Sequence, residues 1–235
     1  MFTWTTHPSR EVMTQTLRDQ IAAQLSASIS ADGRASFAVS GGSSPAPLYQ
    51  ALSAEKIGWH KVSTVLVDER WVEPGEAGSN ESFVEDNLLG GEAASTCLVG
   101  LKTSHDTPGE GLAEAETRLA DMKWPLDAVV LGMGPDGHTA SWFPHADGLD
   151  RALASDGPRL AAVRAHKSEV TGDFLERMTL TKAAVCEAKL VVLMITGPVK
   201  RRVFDDADTP GPIEDLPIRS LIFDPSINLQ VHWAE

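Results

Sequence analysis

Apolar positions along this chain change period several times, and each change marks an element. Met13, Leu17, Ile21 and Leu25 recur every four residues behind Pro8 and Ser9, which predicts a helix from Ser9 onward. Ala-Asp-Gly-Arg at 31–34 ends it. SFAV (36–39) reads as a short buried strand, followed by SGGSSPAP and a helix over PLYQAL (47–52). VSTVLV (62–67) is a second strand that runs into DERWVEPGEAGSN. Helical spacing returns over 80–89, with Asn80 as the cap, and over 110–122. DAVVLGMG (127–134) is a third strand and AKLVVLMITG (188–197) a fourth, with GPVKRRVF opening a helix behind it. IRSLIF (218–223) and NLQVHWAE (228–235) are shorter strand candidates.

Strands that alternate with helices need crossover connections, which predicts a mostly parallel sheet flanked by helices. The strands are continuous apolar runs, as a sheet covered on both faces requires. No repeat, low-complexity tract or linker divides the chain, so one α/β domain over 1–235 is expected, with a small subdomain around 145–180.

The formal net charge of −13 argues against non-specific binding to nucleic acid or an anionic membrane. An anionic ligand would need a local cluster of cations and backbone amides. The apolar and charged fractions, 42% and 23%, are those of an ordinary globular chain, so disorder is not expected. The N-terminus has no signal-peptide pattern and no apolar run reaches membrane-span length, which predicts a cytoplasmic protein. Cys97 and Cys186 read as core thiols in a reducing compartment. Trp4, Trp59, Trp142 and Trp233 are candidates to expose an interface.

The unusual residues gather where the strands end, the region in which open α/β sheets bind ligands. Gly41 and Gly42 in SGGSSP allow close backbone approach, the following helix offers free N–H groups to an anion, and Ser43 and Ser44 add hydroxyls. This loop matches neither the dinucleotide fingerprint nor the P-loop. In DERWV, Arg70 can fork onto a phosphate or carboxylate beside Asp68. LGMGPDGHTASWFP packs three glycines, an aspartate and a histidine into seven residues, 132–138. His138 can take and return a proton near neutral pH, with Asp136 to orient it. Gly134 and Gly137 are candidates to present amides to a developing oxyanion, and Thr139 or Ser141 to cap a following helix. Ser141 lacks the G-x-S-x-G surroundings of a hydrolase nucleophile. Asp136 and His138 have no further ligand cluster at metal-binding spacing, so no metal is expected. Downstream, ERMTLT and TGPVKRR supply Arg177 and Lys200 as candidates for a phosphate clamp.

With SGGSSPAPLYQAL, VDERWV with SNESFV, LGMGPDGHTASWFP, and RMTLT with TGPVK in view, the chain resembles the 6-phosphogluconolactonase family over nearly its whole length. The resemblance implies a Rossmann-like α/β fold and hydrolysis of 6-phospho-D-glucono-1,5-lactone to 6-phosphogluconate in the pentose phosphate pathway, with no cofactor. It implies His138 as the base that activates water, with Asp136, Asp68 and Arg70 assisting. Gly41, Gly42, Ser43, Ser44, Arg177 and Lys200 are implied for the phosphate. Some members carry Arg at the position of Ser43, so its absence puts more weight on Lys200 and Arg177. Two alternatives remain: an amino-sugar phosphate deaminase, from whose pattern Arg70-Trp71 and Thr139-Ala140-Ser141 depart, and a sugar-phosphate sensor without turnover.

Overall fold

The computed structural model describes residues 2–235. The chain enters through a short strand, β1 (Thr3–Thr6), and turns into α1 (Arg10–Asp32). Ser9 caps α1 by accepting the Val12 N–H, and Gly33 closes it at φ 75°, a left-handed value suited to glycine. The four-residue stripe Met13, Leu17, Ile21 and Leu25 is fully buried against the sheet. β2 (Ala35–Val39) leads through the serine–glycine loop into α2 (Ala46–Ser53). β3 (Val62–Leu66) follows, then β4 (Asp68–Arg70), α3 (Asn80–Leu88), β5 (Cys97–Val99) and α4 (Pro108–Leu119). β6 (Ala128–Leu131) carries the chain into the glycine-rich loop. After it come α5 (Leu149–Ala152), β7 (Leu160–Arg164), β8 (Glu176–Leu180) and α6 (Lys182–Cys186). β9 (Val191–Thr196), α7 (Gly197–Ala207), α8 (Arg219–Ile222) and β10 (Leu229–Ala234) complete the fold.

Seven strands form one parallel sheet in the order β1-β10-β9-β6-β2-β3-β5. From β2 the chain proceeds outward to β3 and β5, then returns to place β6 on the opposite side of β2. The sheet therefore reverses direction between β2 and β6, and a crevice opens beyond the carboxyl ends of these two neighbours. Both strands are buried throughout, so their loops start from rigid ground.

A second, antiparallel sheet, β4-β8-β7, stands beside that crevice. Val67 passes the chain between the sheets: its N–H donates to Val39 O at 2.9 Å, and its carbonyl accepts from the Leu180 N–H at 2.8 Å. One hydrophobic cluster includes residues of both sheets. The subdomain expected around 145–180 is therefore this small sheet, completed by β4 from outside that range. DERWV, read as a loop, begins as the β4 strand.

Several expectations are corrected. IRSLIF is α8, because a short apolar run does not separate strand from buried helix by pattern alone. Ser79, not Asn80, caps α3, accepting the Ser82 N–H at 3.2 Å. No helix follows His138: Thr139 donates to Gly132 O at 2.8 Å and Ser141 to Asp68 Oδ2 at 2.6 Å, so neither is a cap. Cys97 is exposed and Cys186 only half-buried, so neither is the core thiol expected. Trp59 and Trp142 are 1% and 0% exposed and present no interface. No helix of the described residues is long and apolar enough to cross a membrane.

Just before β6, Asp127 is fully buried and ties α1, β2 and two loop lysines together. It accepts from Ser28 Oγ at 2.7 Å, from Ser36 N at 2.9 Å and from Lys123 Nζ at 2.6 Å, with Lys189 Nζ at 3.0 Å. Burial resists its ionisation, but the Lys123, Ser28 and Lys189 bonds outweigh this and hold its pKa below the ordinary aspartate value. Lys123 retains Asp32 at 2.7 Å, but the buried Ser28 hydroxyl and Ser36 N–H would lose their acceptor, so Asp127→Ala is expected to lower stability by about 1–3 kcal/mol. Because the folded-state pKa is depressed, this contribution is present above the ordinary aspartate value and is lost as pH falls below it. Urea melts of both proteins at neutral and acid pH measure it; a gap that widens on acidification would contradict this sign.

Candidate active site

A cavity of about 310 Å³ occupies the crevice at the reversal point. Its wall brings together Ser40 to Pro45 after β2, Asp68 and Arg70 from β4, Gly132 to Pro135 and His138 after β6, Arg177 from β8 and Lys200 from α7. Residues that the sequence scatters over some 160 positions thus share one space. Asp136 and Gly137 stand behind this wall. A larger cavity, about 470 Å³, lies among Ala146, Leu149, Leu153 and Ile213 and contains none of these loops.

His138 Nδ1 lies 2.5 Å from Asp136 Oδ1, and its backbone N–H donates to the same oxygen at 3.2 Å. Burial opposes the Asp136 charge, but the His138 hydrogen bond and electrostatic attraction prevail and hold its pKa below the usual range. An ionised Asp136 fixes the proton on Nδ1 and leaves the Nε2 lone pair free to act as a base. The imidazole also stacks at 33° on Phe143, 4.3 Å between centroids. Gly134 makes room for this: a Cβ there would lie 2.2 Å from His138 Nδ1 and 2.6 Å from Asp136 Oδ1.

The oxyanion assignment needs correction. The Gly134 N–H donates to His138 O at 2.9 Å and the Gly137 N–H to Gly134 O at 3.1 Å. Both amides are spent on closing the loop and neither is free for a ligand. The free amides are elsewhere: among the described residues, the N–H groups of Gly41, Gly42, Ser43 and Ser44 reach no protein acceptor. They sit at the amino end of α2, where an anion is favoured. Gly41 permits the close approach of Asn80, whose Oδ1 lies 1.9 Å from the position of a Cβ on Gly41.

Three cations face this loop. Arg70 and Arg177 are directly paired residues of β4 and β8, a like-charge arrangement that disfavours the sheet unless an anion joins it. Arg70 donates through Nη1 to Gly78 O at 2.5 Å, while its buried Nε has no partner. Arg177 is 3% exposed; burial pulls its pKa down to about 10, against the attraction of Asp68. Burial likewise lowers the Lys200 pKa, and among the described residues Lys200 forms no ion pair with any carboxylate. Such a cation is expensive to leave without a counter-ion.

Sequence reasoning missed three contributors. Asn80, read as a cap, instead donates through Nδ2 to Asp68 O at 2.8 Å and lines the cavity. Glu69 is fully buried and accepts the N–H groups of Arg70, Asn80 and Glu81, each at 2.7 Å, which docks α3 onto β4. Burial pushes its pKa up to about 7 in spite of these donors. Phe143 supports both His138 and, with 5.2 Å to the guanidinium, Arg177. A carboxylate ten residues before a Ser-Asn helix start was the available signal for Glu69; Phe143 had none beyond its motif. Among the described residues, no three His, Cys, Asp or Glu side chains form a metal-type group.

The family model for glucosamine-6-phosphate isomerases/6-phosphogluconolactonase matches residues 8–233. A 6-phosphogluconolactonase of Rhizobium meliloti (strain 1021) is 40% identical over 94% of this chain and 94% of its own. One of Mesorhizobium japonicum is 40% identical over 99% and 95%. The crystal structure of a 6-phosphogluconolactonase from Shewanella baltica OS155 superimposes with a TM-score of 0.94 at 34% identity, covering 100% and 98% of the two chains. A monomeric glucosamine-6-phosphate deaminase shares the fold, with a TM-score of 0.79 at 15% identity over 99% and 97%.

Gly134→Ala is expected to displace the imidazole from Asp136 while the sheet remains folded. The histidine Nδ1 proton should be lost from its downfield position in the NMR spectrum, with the circular dichroism unchanged. Retention of that resonance would refute the packing argument.

Proposed function

Since the chain belongs to the glucosamine-6-phosphate isomerase/6-phosphogluconolactonase family, we propose that it hydrolyses 6-phospho-D-glucono-1,5-lactone to 6-phosphogluconate. One observation carries the reading: His138, held from behind by Asp136, and the cations Arg70, Arg177 and Lys200 border a single cavity with the free amides of 41–44. A base and an anion cradle in one cavity suit a substrate with a reactive carbonyl and a remote phosphate.

In this reading, the phosphate rests on the amides of Gly41, Gly42, Ser43 and Ser44, with Lys200 and Arg177 supplying charge. Its binding energy orients the lactone carbonyl near His138. Nε2 removes a proton from water as the oxygen attacks C1. Asp136 stabilises the imidazolium that forms. The tetrahedral intermediate then expels the ring oxygen, which takes the proton back from His138, and the carboxylic acid so formed loses its proton to solvent and leaves as the open-chain carboxylate. Arg70, beside Asp68, assists as a substrate contact. A δ-lactone is already activated, so neither a covalent nucleophile nor a cofactor is invoked. The reaction is placed in the cytoplasm, where two unpaired cysteines remain reduced.

Two measurements test this. Initial rates on fresh lactone, corrected for spontaneous hydrolysis, should fall by at least ~10² in His138→Ala, the scale of general-base help. A variant that keeps the wild-type rate would remove His138 from this role. Unphosphorylated gluconolactone should show kcat/KM lower by about 10²-fold or more, since two or more charge-assisted hydrogen bonds are lost. Equal turnover of both lactones, or ammonia release from glucosamine 6-phosphate, would point away from the proposal.

A further inference from the structure

We propose that Ser141 is a positioning residue whose hydroxyl holds Asp68 off Arg177 and thereby keeps that guanidinium available to the substrate's phosphate. This rests on the lactonase reading and adds a residue to it. Ser141 is fully buried three positions beyond His138 and lies outside the cavity wall, so it acts only through its neighbours. Its N–H donates to Thr179 Oγ1 at 3.2 Å and its Oγ to Asp68 Oδ2 at 2.6 Å. These bonds tie the histidine loop of the large sheet to β4 and β8 of the small one.

The same Asp68 oxygen lies 3.8 Å from Arg177 Nη1, near enough for attraction but beyond a hydrogen bond. Arg177 is otherwise anchored, through Nε to Phe174 O at 2.7 Å and Nη2 to Thr171 O at 3.3 Å, which leaves Nη1 as the end free to respond. The Asn80 amide is already committed to Asp68 O, with Oδ1 at 3.5 Å. Without the serine hydroxyl, Oδ2 becomes a buried acceptor lacking its donor, a costly state. A shift of about 1 Å would bring it to the ordinary charge-assisted distance from Arg177 Nη1. The closed ion pair would satisfy Asp68 and neutralise a cation that the phosphate needs.

Backbone geometry supports a dedicated role. Ala140 adopts φ 48°, a left-handed conformation that a side-chain-bearing residue enters at a cost. The turn through it is fixed by Thr139 Oγ1 on Gly132 O and by the bridge between Thr139 and Trp142. With it the loop directs His138 to the cavity and Ser141 beneath it.

In Ser141→Ala, KM for 6-phosphogluconolactone should rise about tenfold, the worth of one charged contact. The kcat should stay near the wild-type value, and kcat/KM for gluconolactone should be unchanged. On an Asp68→Asn background, where no charge remains to capture Arg177, the same change should add nothing to KM. If Ser141→Ala does not fold, Ser141→Cys, nearly isosteric and a weak donor, replaces it with the same expectation. Inorganic phosphate, titrated calorimetrically, should bind about tenfold more weakly to the variant, whether or not the protein turns the lactone over. Unchanged phosphate affinity, a loss confined to kcat, or the full effect persisting in Asp68→Asn would each overturn the proposal. A wild-type protein without lactonase activity would instead defeat the functional reading and leave the phosphate titration to decide this one.

Discussion

An acidic chain that is to hold a phosphate must keep a few cations away from its own carboxylates. With 33 acidic and 20 basic residues, a lysine or arginine readily finds an acid nearby. Lys123, Lys182 and Lys189 are neutralised this way, each within 3.0 Å of an aspartate oxygen. Arg70 and Lys200 are not, and Arg177 has only the longer contact to Asp68, at 3.8 Å. The two arginines face each other across paired strands and reach backbone carbonyls, which accept hydrogen bonds without cancelling the charge. Asp68 is the acid that forms an ion pair here, 3.8 Å from Arg177, with Glu69 adding a weaker attraction, and the Asp68 carboxylate is taken up by Ser141 and lies near Asn80. The site's charge thus depends on where one carboxylate is allowed to point.

Sheet topology makes this arrangement feasible. The reversal between β2 and β6 opens the crevice, yet a parallel sheet offers only its loops there. The antiparallel strands β4 and β8 bring paired, rigid backbone to the rim and set the arginines in fixed register. Val67, hydrogen-bonded to both sheets, joins the two systems with one residue. Trp142, whose indole donates to Leu180 O at 2.9 Å, locks the histidine loop onto the same small sheet. Base and anion cradle therefore sit on one continuous framework, the precondition for using remote binding energy at the reacting carbon.

Long-period signals were legible in the sequence. The α1 stripe and the strands β2, β3, β6 and β9 emerged from apolar spacing, Pro8 and Ser9 marked the start of α1, and the three loop motifs indicated the strand ends that carry the site; the buried strands β7 and β8 were not read. Features set by pairing between distant segments were not. β1 is four residues long and largely exposed, so its membership in the sheet follows from β10 rather than from its own pattern. IRSLIF is too short for periodicity to choose between strand and helix. The facing of Arg70 and Arg177 needs the β4–β8 register, which neither segment encodes alone. Gly134 and Gly137 showed the reverse failure: their composition suggested free amides, whereas a loop this tight uses those amides to hold itself.

A shared fold leaves open which reaction the crevice supports, and the side chains must decide. A deaminase acting on an amino-sugar phosphate also needs an anion cradle and a proton-transfer group, so neither the cations nor His138 alone distinguishes the two. The discriminating region is the stretch after His138. Here it turns through Ala140 in a left-handed conformation and directs Ser141 inward to Asp68, so a carboxylate of the cavity wall is committed to a hydroxyl and lies near an amide. Its position is fixed by those partners, which suits it to orienting neighbours rather than to reaching along a sugar carbon chain. Asp136 is likewise tied to Nδ1, which leaves His138 Nε2 as the unpartnered imidazole nitrogen at the wall. One base that takes a proton from water and returns it to a leaving oxygen is sufficient for lactone hydrolysis, while isomerisation coupled to amine loss requires proton transfers at more than one carbon and heteroatom. The economy of titratable groups in this cavity is the physical reason for preferring the hydrolase.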